Sequence, residues 1–130
     1  MTRYLLADIG GTNARFALYD HDVIGPIDVQ AVADHPRAGD AIAAFIGRNQ
    51  SAGPIEAAAI GVAGPVDNGR CTFTNSDWVV DAAELRAAFG WRHVDVINDF
   101  EATALAIPHL QPADLFTVGG GQARTAPCVV

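Results

Sequence analysis

The chain has 130 residues, half of them apolar and 18% charged, with 15 acidic against 8 basic side chains for a formal net charge of −7. All eight basic residues are arginine, and the lack of lysine excludes a Walker A loop, a protein-kinase core and Schiff-base catalysis, each of which needs a lysine amine. The arginines are scattered singly, so neither nucleic acid nor an anionic membrane is an expected partner, because phosphate contacts need cations grouped on one face.

In chain order, Tyr4 to Ile9 reads as a buried strand. Asn13 to Tyr19, with Ala14, Phe16 and Leu18 alternating, reads as a second. Gly10-Gly11-Thr12 between them predicts a tight turn and hence a hairpin. Val23 to Val32 is a third extended run, broken near Gly25-Pro26, which suits an edge position. A helix is predicted from about Asp40 to Ser51, with Ile42, Phe45, Ile46 and Asn49 at helical spacing and Gly53-Pro54 to end it. Ile55 to Val62 is a small-residue strand closed by Gly64-Pro65, and Asp67-Asn68-Gly69 predicts a turn into a short strand from Arg70 to Thr74. Asp81 stands as N-cap of a helix with Glu84 at the capping-box position and Gly90 at its C-terminus. Val94 to Ile97 follows as a strand and Asp99 to Ile107 as a helix stopping before Pro108. Leu115 to Val118 is expected to be extended, and Pro127 to Val130 to open one more strand. Three antiparallel strands followed by alternating helices and strands predict an α/β fold with a mixed sheet and helices on its faces.

No apolar run approaches the roughly 18 residues needed to span a bilayer, and the apolar stretch before Asp8 is too short for a signal peptide. Cys71 and Cys128 form no Cys-x-x-Cys. His21, His35, His93 and His109 lack metal-ligand spacing, so no structural metal site is expected. Cysteine usage of this kind fits a cytoplasmic protein.

Three segments carry candidate chemistry. In Asp8-Ile9-Gly10-Gly11-Thr12-Asn13 a carboxylate ends a buried strand, where its charge needs a partner or a cation. The adjacent glycine N–H groups and the Thr12 hydroxyl can cradle phosphate oxygens, although no Gly-x-Gly-x-x-Gly leads from strand to helix. The same residues would also make an ordinary hairpin turn with Asp8 capping its own backbone. In Val96-Ile97-Asn98-Asp99-Phe100-Glu101, Asn98 and Asp99 sit at the carboxyl end of a strand just before a helix, the usual ligand edge of an α/β sheet. The helix N-terminus favours an ionised Asp99, ready to accept a proton, while Asn98 offers donor and acceptor to hydroxyl groups. A helix N-cap role for Asp99 would serve structure alone. Ile60-Gly61-Val62-Ala63-Gly64-Pro65 closes a strand, and Asn75 and Asp77 beside Trp78 are of a kind that lines a polyol pocket.

Taken together, Leu6-Ala7-Asp8-Ile9-Gly10-Gly11-Thr12-Asn13-Ala14-Arg15, Ile60-Gly61-Val62-Ala63-Gly64-Pro65-Val66, Thr74-Asn75 with Trp78, and Val96-Ile97-Asn98-Asp99-Phe100-Glu101-Ala102 resemble the motifs of the bacterial glucokinase family in that family's order. The resemblance covers nearly the whole chain and implies a ribonuclease H-like domain of the actin-like ATPase type. It implies phosphorylation of glucose by ATP with Mg²⁺. Asp99 would be the catalytic base, and Asn98, Asp99 and Asn75 would bind the sugar. Ala7, Asp8, Ile9, Gly10, Gly11 and Thr12 would line the phosphate site. No residue is expected to ligate metal directly, and Asp8 would face hydrated magnesium through water. Arg15 either adds positive charge there or serves the surface.

Family members continue into a second, larger lobe with further sugar-binding residues and a second phosphate loop. Residues 1–130 are therefore expected to be the N-terminal small lobe, inactive alone, of a cytoplasmic protein whose complete form leaves room for a homodimer. Gly119-Gly120-Gly121 reads as a loop and not as the second phosphate loop. A sugar-sensing module without catalysis, or a kinase for another hexose or an acetylamino sugar, are the alternatives. With the phosphate motif expected from residue 8, a preceding helix-turn-helix of the kind carried by sugar-responsive repressors is not expected.

Overall fold

The structure, a computed structural model, describes residues 2–122 and 124–126. Tyr4–Ile9 (β1) and Asn13–Asp20 (β2) form the expected hairpin, with Asp8 opposite Arg15 and Ile9 opposite Ala14. The third extended run is divided, as its Gly25-Pro26 break suggests: Val23–Ile24 (β3) and Asp28–Ala31 (β4) both pair antiparallel with β2. Helix α1 spans Ala38–Arg48, beginning two residues earlier than the sequence suggests; beyond Asn49 a 3₁₀ turn, Gln50–Ala52, replaces its expected last turn.

Ala57–Val62 (β5) lies parallel to β1, and His93–Asn98 (β8) lies parallel to β5, giving the order β3-β2-β1-β5-β8 with β4 also on β2. The sheet is therefore mixed, antiparallel at one side and parallel at the other. Arg70–Thr72 (β6) and Val79–Asp81 (β7) pair separately as a two-stranded ribbon. The sequence pattern did not reveal β7, which is only three residues long and follows a run of turn-forming residues.

Strand alternation sets the two faces of the sheet. Leu5, Ile9, Ala14, Phe16, Ile60, Val62 and Val96 point to one side and join Ile42 and Phe45 of α1 in the core. Phe16 stacks on Phe45 with ring centroids 5.7 Å apart. Helix α2, Ala82–Phe89, adds Leu85 to this core and has the predicted N-cap and C-terminal glycine: the Asp81 carboxylate accepts from the N–H groups of Ala83 and Glu84, and Gly90 is left-handed. The capping box is not completed, because the Glu84 carboxylate accepts nothing from the Asp81 N–H and lies 3.8 Å from Arg70. Helix α3, Asp99–Ala106, lies on the opposite face, where Ala102 packs over Gly61.

Two expectations near the C-terminus fare differently. Leu115–Val118 is not a strand: Phe116 and Val118 are over 80% exposed, and no strand among the described residues offers a partner for their backbone. The strand expected at residues 127–130 lies outside the described residues, as does Cys128. Among the described residues no helix is long and apolar enough to cross a membrane.

Candidate active site

Parallel pairing brings the two candidate carboxylates to one edge of the sheet. Asp8 of β1 is level with Gly61 of β5, which is level with Ile97 of β8. Asp99 follows two residues later at the start of α3. With strands ~4.8 Å apart, two strand spacings separate the rows that carry Asp8 and Ile97, roughly 10 Å of sheet. Asp8 and Asp99 both line one open cavity of about 600 Å³. Its floor is the small-residue surface of Ala59 and Gly61 on β5, and its wall is Phe100, Ala102 and Thr103 of α3. A cleft at the carboxyl ends of parallel strands is where α/β sheets bind ligands.

Beside Asp8 the chain turns through Gly10–Thr12. The Gly10 N–H donates to the Asn13 carbonyl at 2.9 Å, the Ile9 carbonyl accepts from Ala63 at 3.0 Å, and the Thr12 carbonyl accepts from Val32 at 2.9 Å. These bonds fix the turn and leave the N–H groups of Gly11 and Thr12 without a partner among the described residues. Such a pair of free donors at a turn is a site for anionic oxygens. Ile9 itself is fully buried, so only its backbone belongs to the edge of the site.

Asp8 does not cap its own turn. Its carboxylate lies 3.4 Å from the Arg15 guanidinium, directly across the hairpin, and both side chains are more than half exposed. Asp99 is not the helix cap either. That position belongs to Asn98, whose Oδ1 accepts from the Phe100 N–H at 3.0 Å and whose Nδ2 donates to the Gly64 carbonyl at 2.8 Å. Asp99 accepts from the Phe100 N–H as well, at 2.9 Å, which orients its carboxylate at the positive end of α3. Asn98 is thus committed to structure through one lone pair and one hydrogen, with one of each still free for a hydroxyl group.

Asn75 stands apart from the Asp8–Asp99 cavity lining and lies over the Gly10–Thr12 turn instead. A Cβ at Gly11 would sit 1.9 Å from its Nδ2. Its loop is held from below: the Phe73 N–H donates to the Trp78 carbonyl at 3.1 Å, and buried Trp78 donates from Nε1 to the His35 carbonyl at 3.0 Å. Asp77 lines a different cavity, with Asp40, Asp81 and Glu84.

The structure therefore gathers Ala7, Asp8 and Asp99 around one cleft, and places Gly11, Thr12 and Asn75 together beside it. Sequence reading missed the Gly64 carbonyl as the anchor of Asn98, and missed Phe100 and Thr103 as cavity walls. The Gly64-Pro65 strand end was the available signal for the first. The helical spacing of Asp99 and Thr103 was the signal for the second, since Thr103 bonds back to the Asp99 carbonyl at 3.0 Å. Arg15 beside Asp8 follows from hairpin register alone.

A glucokinase family profile matches residues 5–130. A glucokinase from Caulobacter sp. strain K31 is 44% identical over 119 residues, covering 88% of this chain and 36% of the relative. The crystal structure of a glucokinase from an Antarctic psychrotroph superposes with a TM-score of 0.82 at 34% identity, covering 96% of this chain and 41% of that one. A glucokinase of the ROK family from Streptomyces griseus, solved with glucose and AMPPNP, gives a TM-score of 0.61 at 32% identity over 78% of this chain and 35% of its own. The chain thus spans a little over a third of the length of these relatives, and over that span it belongs to the glucokinase family.

Proposed function

We propose that this chain is the N-terminal lobe, of the actin-like ATPase type, of an enzyme that transfers the γ-phosphoryl group of ATP to the primary hydroxyl of glucose. The observation that carries the reading is the shared cleft of Asp8 and Asp99 beside a turn with two unpaired N–H donors. The Streptomyces griseus relative, crystallised with glucose and AMPPNP, supports sugar and nucleotide as the two ligands.

Asp99 accepts the hydroxyl proton as the sugar oxygen forms its bond to the γ-phosphorus. The bond from that phosphorus to the β,γ-bridging oxygen breaks, and ADP leaves. Phosphoryl transfer needs positioning and charge neutralisation more than a strong base, so a carboxylate held by the first turn of α3 suffices. Asn98 offers its remaining donor and acceptor to a sugar hydroxyl from the rigid junction of β8 and α3. The Gly11 and Thr12 N–H groups bind phosphate oxygens as backbone donors.

Mg²⁺ fits the residues present. No group of three metal-ligating side chains occurs among the described residues, but Asp8 offers one exposed carboxylate whose single ion-pair partner is Arg15 at 3.4 Å. Magnesium keeps most of its waters and binds through one or two carboxylates and substrate phosphates, so a lone carboxylate beside the turn is a sufficient protein contribution. When bound, the ion neutralises charge on the phosphoryl oxygens.

The test is to supply the complete gene product with Mg·ATP and a panel of sugars. Glucose 6-phosphate and ADP in equal amounts, with glucose preferred over N-acetylated hexoses, is the expected result. ATP consumption independent of any sugar would overturn the reading. Residues 1–130 alone, with one wall of the cleft, are expected to show no turnover.

A further inference from the structure

We infer that Asn75 belongs to the phosphate subsite, where its side-chain Nδ2 donates a hydrogen bond to the transferring phosphoryl group. This rests on the phosphotransfer reading above and reassigns a residue to which the family resemblance implied a sugar-binding role.

Three observations converge. First, the Asn75 carboxamide lies against the phosphate turn: from an ideal Cβ at Gly11, Nδ2 is 1.9 Å away and Cγ and Oδ1 are each 2.5 Å away. Gly11 is not among the residues with positive φ, so its backbone would accept any side chain. A side chain at this position would have to displace the Asn75 amide. Second, the amide is uncommitted. Asn75 is exposed and makes no hydrogen bond among the described residues, whereas Asn98 spends half its capacity on the backbone. Third, the loop presenting it is fixed by buried Phe73 and Trp78 and by the bond from Trp78 to the His35 carbonyl.

The unpaired N–H groups of Gly11 and Thr12 and the Asn75 NH₂ are thus gathered at the turn that follows Asp8. A neutral donor presented by a packed loop can add a third hydrogen bond to phosphoryl oxygens as charge shifts in the transition state. Such donors act on the reacting group, and truncating one costs on the order of 10²-fold in turnover.

The experiment uses Asn75→Ala and Asn75→Asp in the complete gene product. It measures kcat, KM for Mg·ATP, glucose binding, and calorimetric affinity for Mg·AMPPNP. The expected result is a fall of about 10²-fold in kcat/KM for Mg·ATP in the alanine variant, with glucose affinity unchanged. The aspartate variant should be worse than alanine and bind Mg·AMPPNP more weakly, because its carboxylate repels phosphate. A sugar-binding role predicts the reverse: weakened glucose binding, a tolerated aspartate that still accepts from hydroxyls, and unchanged AMPPNP affinity. That result, or wild-type behaviour of both variants, overturns the inference. Failure of the parent reading is a separate outcome, seen as a wild-type protein that phosphorylates no sugar; the AMPPNP comparison still tests Asn75 in that case.

Discussion

Asn98 donates from Nδ2 to the Gly64 carbonyl at 2.8 Å, and this bond ties the end of β8 to the loop that leaves β5. The bond joins residues 34 positions apart and sets the point from which α3, and with it Asp99, departs. The loop is itself tightly seated. A Cβ on Gly64 would come within 2.9 Å of the Sγ of Cys71, a fully buried residue on β6. Burial pushes the Cys71 thiol up from its ordinary value, so it is an inert packing group and not a nucleophile.

Gly64→Ala should therefore force Cys71 or the loop to move and destabilise the protein by about 1–3 kcal/mol, the usual cost of overpacking. Adding Cys71→Ala should recover most of the loss by making room for the new methyl group. Thermal unfolding of the two single variants and the double variant measures this coupling. Additive losses would show that the Gly64–Cys71 contact is not the cause.

Gly61 provides a graded probe of the cleft. An added Cβ would meet the Ala7 carbonyl oxygen at 3.8 Å and the Ala102 Cβ at 3.9 Å, both ordinary contact distances. Gly61→Ala should leave kcat within about threefold of wild type. Gly61→Val should push α3 from the sheet and lower kcat by at least about 10-fold, since small misplacements of a catalytic group are costly. Steady-state kinetics with circular dichroism separates this from unfolding. Equal activity of both variants would mean that α3 does not depend on this contact for its place.

Acid should weaken the fold through its paired aspartates. The Glu84 N–H and the Arg70 guanidinium, with a further bond from the Ala83 N–H, hold the Asp81 carboxyl below its ordinary value. The Arg3 guanidinium does the same for Asp20, and Arg37 for Asp40. A carboxyl whose folded value is depressed contributes stability that is present above the unfolded value, about 3.9. That contribution is lost as pH falls through the folded value. Melting temperature should hold between roughly pH 7 and 5 and fall below about pH 4. Asp81→Ala should lower stability at pH 7 by about 1 kcal/mol through loss of the α2 cap, and Asp81→Asn by less, since an asparagine oxygen still caps. An Asn variant as unstable as the Ala variant would assign the effect to the Arg70 pair and not to the cap.

Much of the fold was legible because its long elements are locally consistent. The alternation of Ala14, Phe16 and Leu18, the spacing of Ile42 and Phe45, and the Asp81–Gly90 caps each name their element. Short pieces were not. β7 takes its strand character from pairing with β6, and Leu115–Val118 has strand composition with no strand beside it. Asp8 and Asp99 were readable as candidates because each lies within one residue of the carboxyl end of a strand. Their shared cleft was not, because it depends on the parallel register of β1, β5 and β8. The approach of Asn75 to Gly11, 64 residues apart in the chain, depends on where the buried Trp78 fixes its loop. No local pattern encodes that distance.

Asp99→Asn in the complete gene product tests the central claim most directly. The amide keeps the size of the side chain and removes its ability to take a proton. The expected result is a fall in kcat of about 10²–10⁴-fold with glucose affinity, read by equilibrium binding, nearly unchanged. Turnover close to wild type in a variant that still binds glucose would contradict it.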